Sequence, residues 1–303
     1  MEAPLPNTDV PRRIWEVPFM QYLASPRRWR LSCVLCVLYL QYASSPTWSG
    51  DFAIHIDKSR PLAAALDLLN KRHRCAVSYE DPVYGPADIE DATDRIQQDL
   101  GRQIPEWAHR VVYFPKRRPL DLDYEWEGEC SREQLNGVVQ RLVDVHNHGR
   151  NPGVFRIINL EERIVVIPSG VIDENDTFIS SASALDVLVN LEVNNGTGIE
   201  AIEALLTEIN RSATRTVGGY IPTNMFAQNR VSFEAHDVSA REVLVLILKS
   251  IELAFGDGTI LSWRLNYDPN MARNFLNIRF LTPELTGPYR MPQGKLSNQG
   301  SQP

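Results

Sequence analysis

Cysteine is scarce in this chain, and positive charge is outweighed by negative. Of 303 residues, 4 are Cys, 31 are Lys or Arg and 38 are Asp or Glu, a net charge of −7. A nucleic-acid binder needs a concentrated basic face to neutralise phosphates. The small clusters Lys116-Arg117-Arg118 and Lys71-Arg72 read instead as solvated loop and helix-end charges. The glycine spacing of a dinucleotide fold, the lysine of a phosphate-binding loop and a serine in a nucleophile-elbow context are also lacking. No cofactor or metal motif stands out. What remains is globular: 43% hydrophobic and 23% charged residues argue against wholesale disorder, and the length leaves room for two cores.

The apolar run at 31–43 follows Arg27, Arg28 and Arg30 and precedes a Ser/Pro/Gly stretch ending at Gly50. About 13 residues is short for a transmembrane helix, which takes roughly 20. The order basic, apolar, small predicts an export signal around 27–49, with 1–50 as a targeting segment. The segment before it is long and would shrink if translation began at Met20. An uncleaved anchor, the one route to a membrane here, and a cytoplasmic protein with this run in its core stay open as alternatives. Without residues 1–49, which hold five Arg and three acids, the chain has 31 − 5 = 26 basic and 38 − 3 = 35 acidic residues, net −9. Its remaining cysteines are Cys75 and Cys130. An oxidising compartment would let them pair; two free thiols are the other reading.

One order of elements is legible twice. Phe52-Ala-Ile-His-Ile56 alternates as a strand, and Ser59 with Pro61 opens a helix striped by Leu62, Ala65, Leu66 and Leu69. Ala76-Val-Ser-Tyr79 is the next strand. An excursion at 81–118 carries a helix at 89–100 and a short strand at 111–114. Leu120-Asp-Leu-Asp-Tyr-Glu-Trp126 alternates strictly, so its acids line a wet face. Ser131-Arg-Glu-Gln134 reads as a capping box opening a helix to His148, and a hairpin at 154–158 and 164–167 follows. The second pass starts at Val187, with a helix capped by Thr197, a Gly218-Gly219 turn and a strand at 231–235. The box Ser239-Ala-Arg-Glu242 then opens a helix at 239–255, and a closing hairpin carries Trp263 and Tyr267, expected in its core. Cap-to-cap spacing is 72 residues in the first pass (59 to 131) and 42 in the second (197 to 239); the surplus of 30 matches the excursion. The fold class is α+β: two tandem copies of a βαβ-βαββ unit with small mixed sheets. The predicted organisation is a first module at 51–168 with insertion 81–118, a linker at 169–184, a second module at 185–285, and a disordered tail at 286–303.

The helix starts Ser59-Arg-Pro-Leu-Ala-Ala-Ala-Leu-Asp-Leu-Leu69 and Val238-Ser-Ala-Arg-Glu-Val-Leu244, behind an export signal, resemble those of the secretin and TonB N-terminal short domain. Val77-Ser-Tyr-Glu-Asp-Pro82, Ala87-Asp-Ile-Glu-Asp-Ala-Thr93, Leu261-Ser-Trp-Arg-Leu265 and Tyr267-Asp-Pro269 also look like a family of uncharacterised exported bacterial proteins over about 51–281. The resemblance implies a periplasmic interaction module without chemistry of its own, contacting an envelope protein or peptide. The chain departs from those proteins in having no β-rich ring region and no barrel.

Candidate sites compete with plainer readings. His146-Asn147-His148 sits at a helix C-terminus, where the dipole favours such side chains, and no third metal ligand is suggested. His55 with Asp57 and His236 with Asp237 lack a nucleophile. Asn194-Asn-Gly-Thr-Gly198 reads as a loop and cap before it reads as an anion cradle. Tyr84, Trp107, Tyr113, Tyr124 and Trp126 gather around the excursion, either covering the first core or lining a groove for an extended peptide or glycan. An enzyme acting on a cell-wall or glycan substrate is the alternative function, with Asp88, Glu90 and Asp91 as acid and base.

Overall fold

Alternation in the strands and capping chemistry at the helix starts lay down the order of elements. The computed structural model describes residues 49–100, 111–161, 163–212, 216–255 and 259–281. The segment expected to be an export signal (but for Ser49), Trp107 and the expected tail lie outside these. The first half runs β1 (Ser49–Lys58), α1 (Pro61–His73), β2 (Val77–Glu80), β3 (Ile89–Asp91), α2 (Thr93–Leu100), β4 (Tyr113–Pro115), β5 (Arg118–Glu127), α3 (Arg132–His148), β6 (Val154–Leu160) and β7 (Arg163–Ile172). The second half runs β8 (Phe178–Ser180), β9 (Leu188–Thr197), α4 (Gly198–Ser212), β10 (Val217–Tyr220), α5 (Thr223–Gln228), β11 (Arg230–Ser239), α6 (Ala240–Phe255), β12 (Ile260–Asp268) and β13 (Arg273–Leu281). The fold is α+β.

The halves pair their strands by one scheme. β1 and β5 form an antiparallel ribbon; so do β9 and β11. β2 runs parallel to β7, and β10 parallel to β13. The hairpins β6–β7 and β12–β13 complete each set. In each half two helices lie between the ribbon and the larger sheet. Apolar residues at helical spacing are the ones buried: Leu135, Val138, Val139, Leu142 and Val143 on α3, and Val243, Leu244, Ile247, Leu248 and Ile251 on α6.

Local chemistry repeats as well. Asn70 donates its amide to Val77 O at 2.9 Å and accepts from Val77 N at 3.0 Å, tying the end of α1 to β2. Asn210 does the same to Val217, at 3.0 and 2.6 Å, seven residues on in both cases. Ser131 accepts from Gln134 N, while Ser239–Glu242 and Thr197–Glu200 close reciprocal boxes. α1 departs from expectation: its N-cap is Arg60, without a side-chain cap, in place of Ser59.

Four further expectations need correction. The small sheets are not separate: β12 pairs parallel with β2 at Arg264↔Tyr79 and Leu265↔Glu80, giving one sheet ordered β10-β13-β12-β2-β7-β6, with β8 on β7. The segment 169–184 is no linker, since it holds the end of β7, β8 and a buried Ser183 that caps a single turn at Ala184–Asp186. Gly218-Gly219 lies inside β10 and makes no turn. The excursion's helix is shorter, beginning at Thr93 after β3.

The two cores lie on opposite faces of the joined sheet. On β2, Val77 and Tyr79 enter the first core, whereas Ser78 and Glu80 turn to Trp263 and Arg241 of the second half. On β12, Leu261, Trp263 and Leu265 enter the second core, and Arg264 turns to Ala63 O and Asp67 on α1. β7 is shared, with Ile164 and Val166 in one core and Val165 and Ile167 in the other.

Candidate functional site

The four described aromatics selected from sequence, Tyr84, Tyr113, Tyr124 and Trp126, do not line one groove together. Tyr124 and Trp126 are 3% and 1% exposed, standing at alternate positions on the inner face of the β1–β5 ribbon. His73 stacks on Trp126 at 3.8 Å between centroids and meets the Tyr124 hydroxyl at 2.9 Å. Tyr84 is 5% exposed, and only Tyr113 of the described four is open, at 41%. Strand parity already implied this for Tyr124 and Trp126, which share a face with Leu120. Trp263 and Tyr267 are buried, as expected.

The densest polar chemistry lies where the halves join, at Glu80, the last residue of β2, and Asp81 just past it. Glu80 is fully buried. Arg241, from the first turn of α6, grips it with Nε to Oε1 and Nη2 to Oε2, both at 2.7 Å, and gives Nη1 to Asp186 at 2.6 Å. Trp263 Nε1 and Ser183 Oγ donate to the same carboxylate. Asp81, 2% exposed, accepts from Tyr79 and Tyr84 hydroxyls (2.8 and 2.7 Å), Arg60 Nε (2.7 Å) and Tyr267 N (2.9 Å). Both carboxylates therefore have charged partners and full hydrogen-bond shells, the condition under which buried ions are tolerated. Burial, then Asp81, push the Tyr79 and Tyr84 phenols well above their usual range, so they stay protonated donors. Burial pulls on both guanidiniums, but Asp81 at Arg60 and Glu80 at Arg241 outweigh it and leave each above its ordinary value. Every acidic oxygen here is occupied, so the cluster acts as a clamp between the halves.

The triad proposed for acid–base work is dispersed. Asp91 caps Thr93, Glu90 pairs with Arg95 at 3.2 Å, and Asp88 accepts from the Gly153 backbone. Burial raises the Asp88 carboxyl to about 6, and one of its oxygens has no partner. None of the three lines either of two surface concavities on the described residues. The first of these, about 780 Å³, lies at the ribbon and is lined by Asp51, Asp123, Glu125, Glu127 and Arg141, with Phe52 and Tyr124, the one selected aromatic that reaches it. Among the described residues no group of three or more His, Cys, Asp or Glu is placed to hold a metal, and no helix is long and apolar enough to cross a membrane.

The histidines divide by burial. His55 and His236 lie exposed, paired to Asp121 and Glu234. His148 is exposed as well, bonded to Asp144 O. His146 is 2% exposed, its Nε2 on Pro152 O at 3.2 Å. Burial pushes its imidazole down to about 4, against its contacts with the Pro152 and Gly153 backbone. His73 is likewise held at about 4, by burial and by Arg72. Unfolded, each would titrate near 6.5. Between pH 6.5 and 4 the unfolded chain thus takes up protons that the folded chain refuses, and stability falls as pH drops through that window. For His146 alone the loss approaches about 3 kcal/mol at pH 4. Asp88 opposes it, because its raised value favours the folded state at low pH. Urea midpoints measured from pH 7 to pH 4 should decline, and His146→Phe should flatten the decline; an unchanged slope in that variant would refute the assignment.

Cys75 and Cys130 are joined by a disulfide with Cα atoms 6.0 Å apart, binding the end of α1 to the residue before the α3 cap. Two strands, β6 and β10, end the large sheet with no strand on their outer sides among the described residues. No family model, curated protein or solved structure matches this chain.

Proposed function

We propose that the chain is an exported, non-enzymatic protein of the bacterial envelope, built from two copies of one α+β unit and acting by contact with a protein or peptide partner. The observation that carries this reading is the pair of open sheet ends. Among the described residues the outer edges of β6 and β10 have no strand beside them, although Asn147 holds the N–H and C=O of Phe155 and Asn210 those of Val217. Neither Val154–Leu160 nor Val217–Tyr220 contains the Lys or Pro that commonly blunts an edge. An extended segment can add there as a further strand. The disulfide supports export, because such bonds persist in oxidising compartments. The resemblance to the secretin and TonB short domain supports it too, and the large polar investment at Glu80 and Asp81 holds shape without doing chemistry. The glycan-enzyme alternative needs Asp88, Glu90 and Asp91 gathered in a cleft, and each has a separate engagement.

Cell fractionation with N-terminal sequencing tests the reading. The mature protein should be found in the envelope, beginning between about residue 44 and residue 50. An intact N-terminus on a cytosolic protein would overturn it. Capture from envelope extract, compared between wild type and an edge variant such as Ile221→Pro, then identifies the partner.

A further inference from the structure

The joint between the halves shows how a second copy would dock. Within the chain, the outer edge of β12 pairs with the outer edge of β2. The equal pairing schemes make β6 the counterpart of β12, and β10 the counterpart of β2. The two edges at the ends of the sheet are therefore the same two kinds of edge that are joined at its middle, with one exception. Asn147 holds the N–H and C=O of Phe155, whereas the N–H of its counterpart Trp263 donates to Ser78 Oγ, so that docking must displace the Asn147 amide. Register fixes the correspondence residue by residue. Phe155-Arg156-Ile157 stands where Trp263-Arg264-Leu265 stands, and Val217 to Pro222 stands where Val77 to Pro82 stands, the proline included.

We propose that copies of this chain assemble head to tail, β6 of one pairing parallel with β10 of the next. Arg156 would lie opposite Gly219 and Ile157 opposite Tyr220, continuing the sheet from molecule to molecule. The inference deepens the reading of the sheet ends as contact surfaces and rests on it.

Side chains around the open edges suit this occupant. At the internal joint Arg264 crosses to Ala63 O and Asp67 on α1. Its counterpart Arg156 is exposed; by the shared Asn70 and Asn210 anchors the α4 position matching Asp67 is the uncharged Thr207, and one turn earlier the position matching Ala63 is Glu203, also exposed. A cation at one end of the sheet thus meets an anion at the other. Tyr220 is 74% exposed, at the position of buried Glu80. Phe275 is only half-buried, at the position of Val165, which the second half covers. The buried clamp is not reproduced, because Glu200 and Ile221 replace Arg60 and Asp81, and Glu133 replaces Arg241. The joint between copies is accordingly weaker than the internal one, and reversible. Since its two surfaces differ, it makes rings where the rotation closes and filaments where it does not.

Sedimentation velocity and light scattering of the full chain across a concentration series provide the test. Wild type should show mass rising with concentration. Arg156→Glu and Glu203→Arg, both at exposed positions, should each weaken association roughly tenfold or more, because like charges are brought together. The double variant R156E/E203R should restore it. Circular dichroism should be unchanged in all three. A wild type that stays monomeric throughout overturns the assembly, as does an assembly indifferent to both single variants. Neither result touches the export reading, which fractionation decides separately.

Discussion

Arg241→Ala is expected to destabilise the protein by about 3–5 kcal/mol, the range for removing one partner of a buried ion pair. The reason is what remains. Glu80 would keep the Ser183 hydroxyl and the Trp263 indole but lose its only charged partner, at a site fully closed to water. The loss is larger than an exposed pair such as Arg117–Asp57 would give, since both its side chains are nearly half exposed and solvent screens their attraction. Location adds a second signature. The clamp spans the halves, and beside it the sheet is continuous for only two residue pairs. Weakening it should therefore split one cooperative urea transition into two, reported separately by a probe in each core. Replacing Glu80 and Arg241 together by leucine and methionine should recover much of the loss, since no lone charge is then buried. A single unshifted transition in Arg241→Ala would show that the halves do not depend on this contact.

How much of this was legible in the sequence follows from the range of the interactions. Elements set by neighbours were readable: strand parity in β1 and β5, the helical stripes, and the boxes at Thr197 and Ser239 depend on residues two to four apart. The joint was not. Arg241 reads as the third residue of a capping box and Glu80 as the last residue of a strand; only the pairing of β12 with β2 brings them together across 161 positions. Adjacent acids closing a strand whose other residues are apolar or small were a signal, since Val77-Ser-Tyr-Glu-Asp81 invites the question of what neutralises them. The repeated spacing Asn70…Val77 and Asn210…Val217 was another, and it would have fixed the alignment of the halves without the caps. Burial of Tyr124 and Trp126 was missed for a different reason. Proximity in sequence stood in for exposure, although period-two alternation already put Tyr124 and Trp126 on the inner face.

Breaking the Cys75–Cys130 bond, by Cys75→Ala/Cys130→Ala or by reduction, should cost about 4 kcal/mol, because the closed loop of 55 residues restricts the unfolded chain. The loop holds β2, the whole excursion and β5, so its contribution falls on the first half. No described cysteine lies in the second half, whose transition should not move. The bond is also unequal in access: Cys75 is 2% exposed, its sulfur against His73 O, whereas Cys130 is exposed just before the α3 cap. An external thiol therefore meets Cys130 first, and reduction should proceed without prior unfolding. Urea titrations with and without dithiothreitol, read at Trp126 for the first half and Trp263 for the second, separate the outcomes. Equal midpoints in the two conditions would mean that the bond does not stabilise the first half. It would then no longer support placing the protein in an oxidising compartment. A shift confined to Trp126 would tie the stability of the first half to the compartment in which this bond can form.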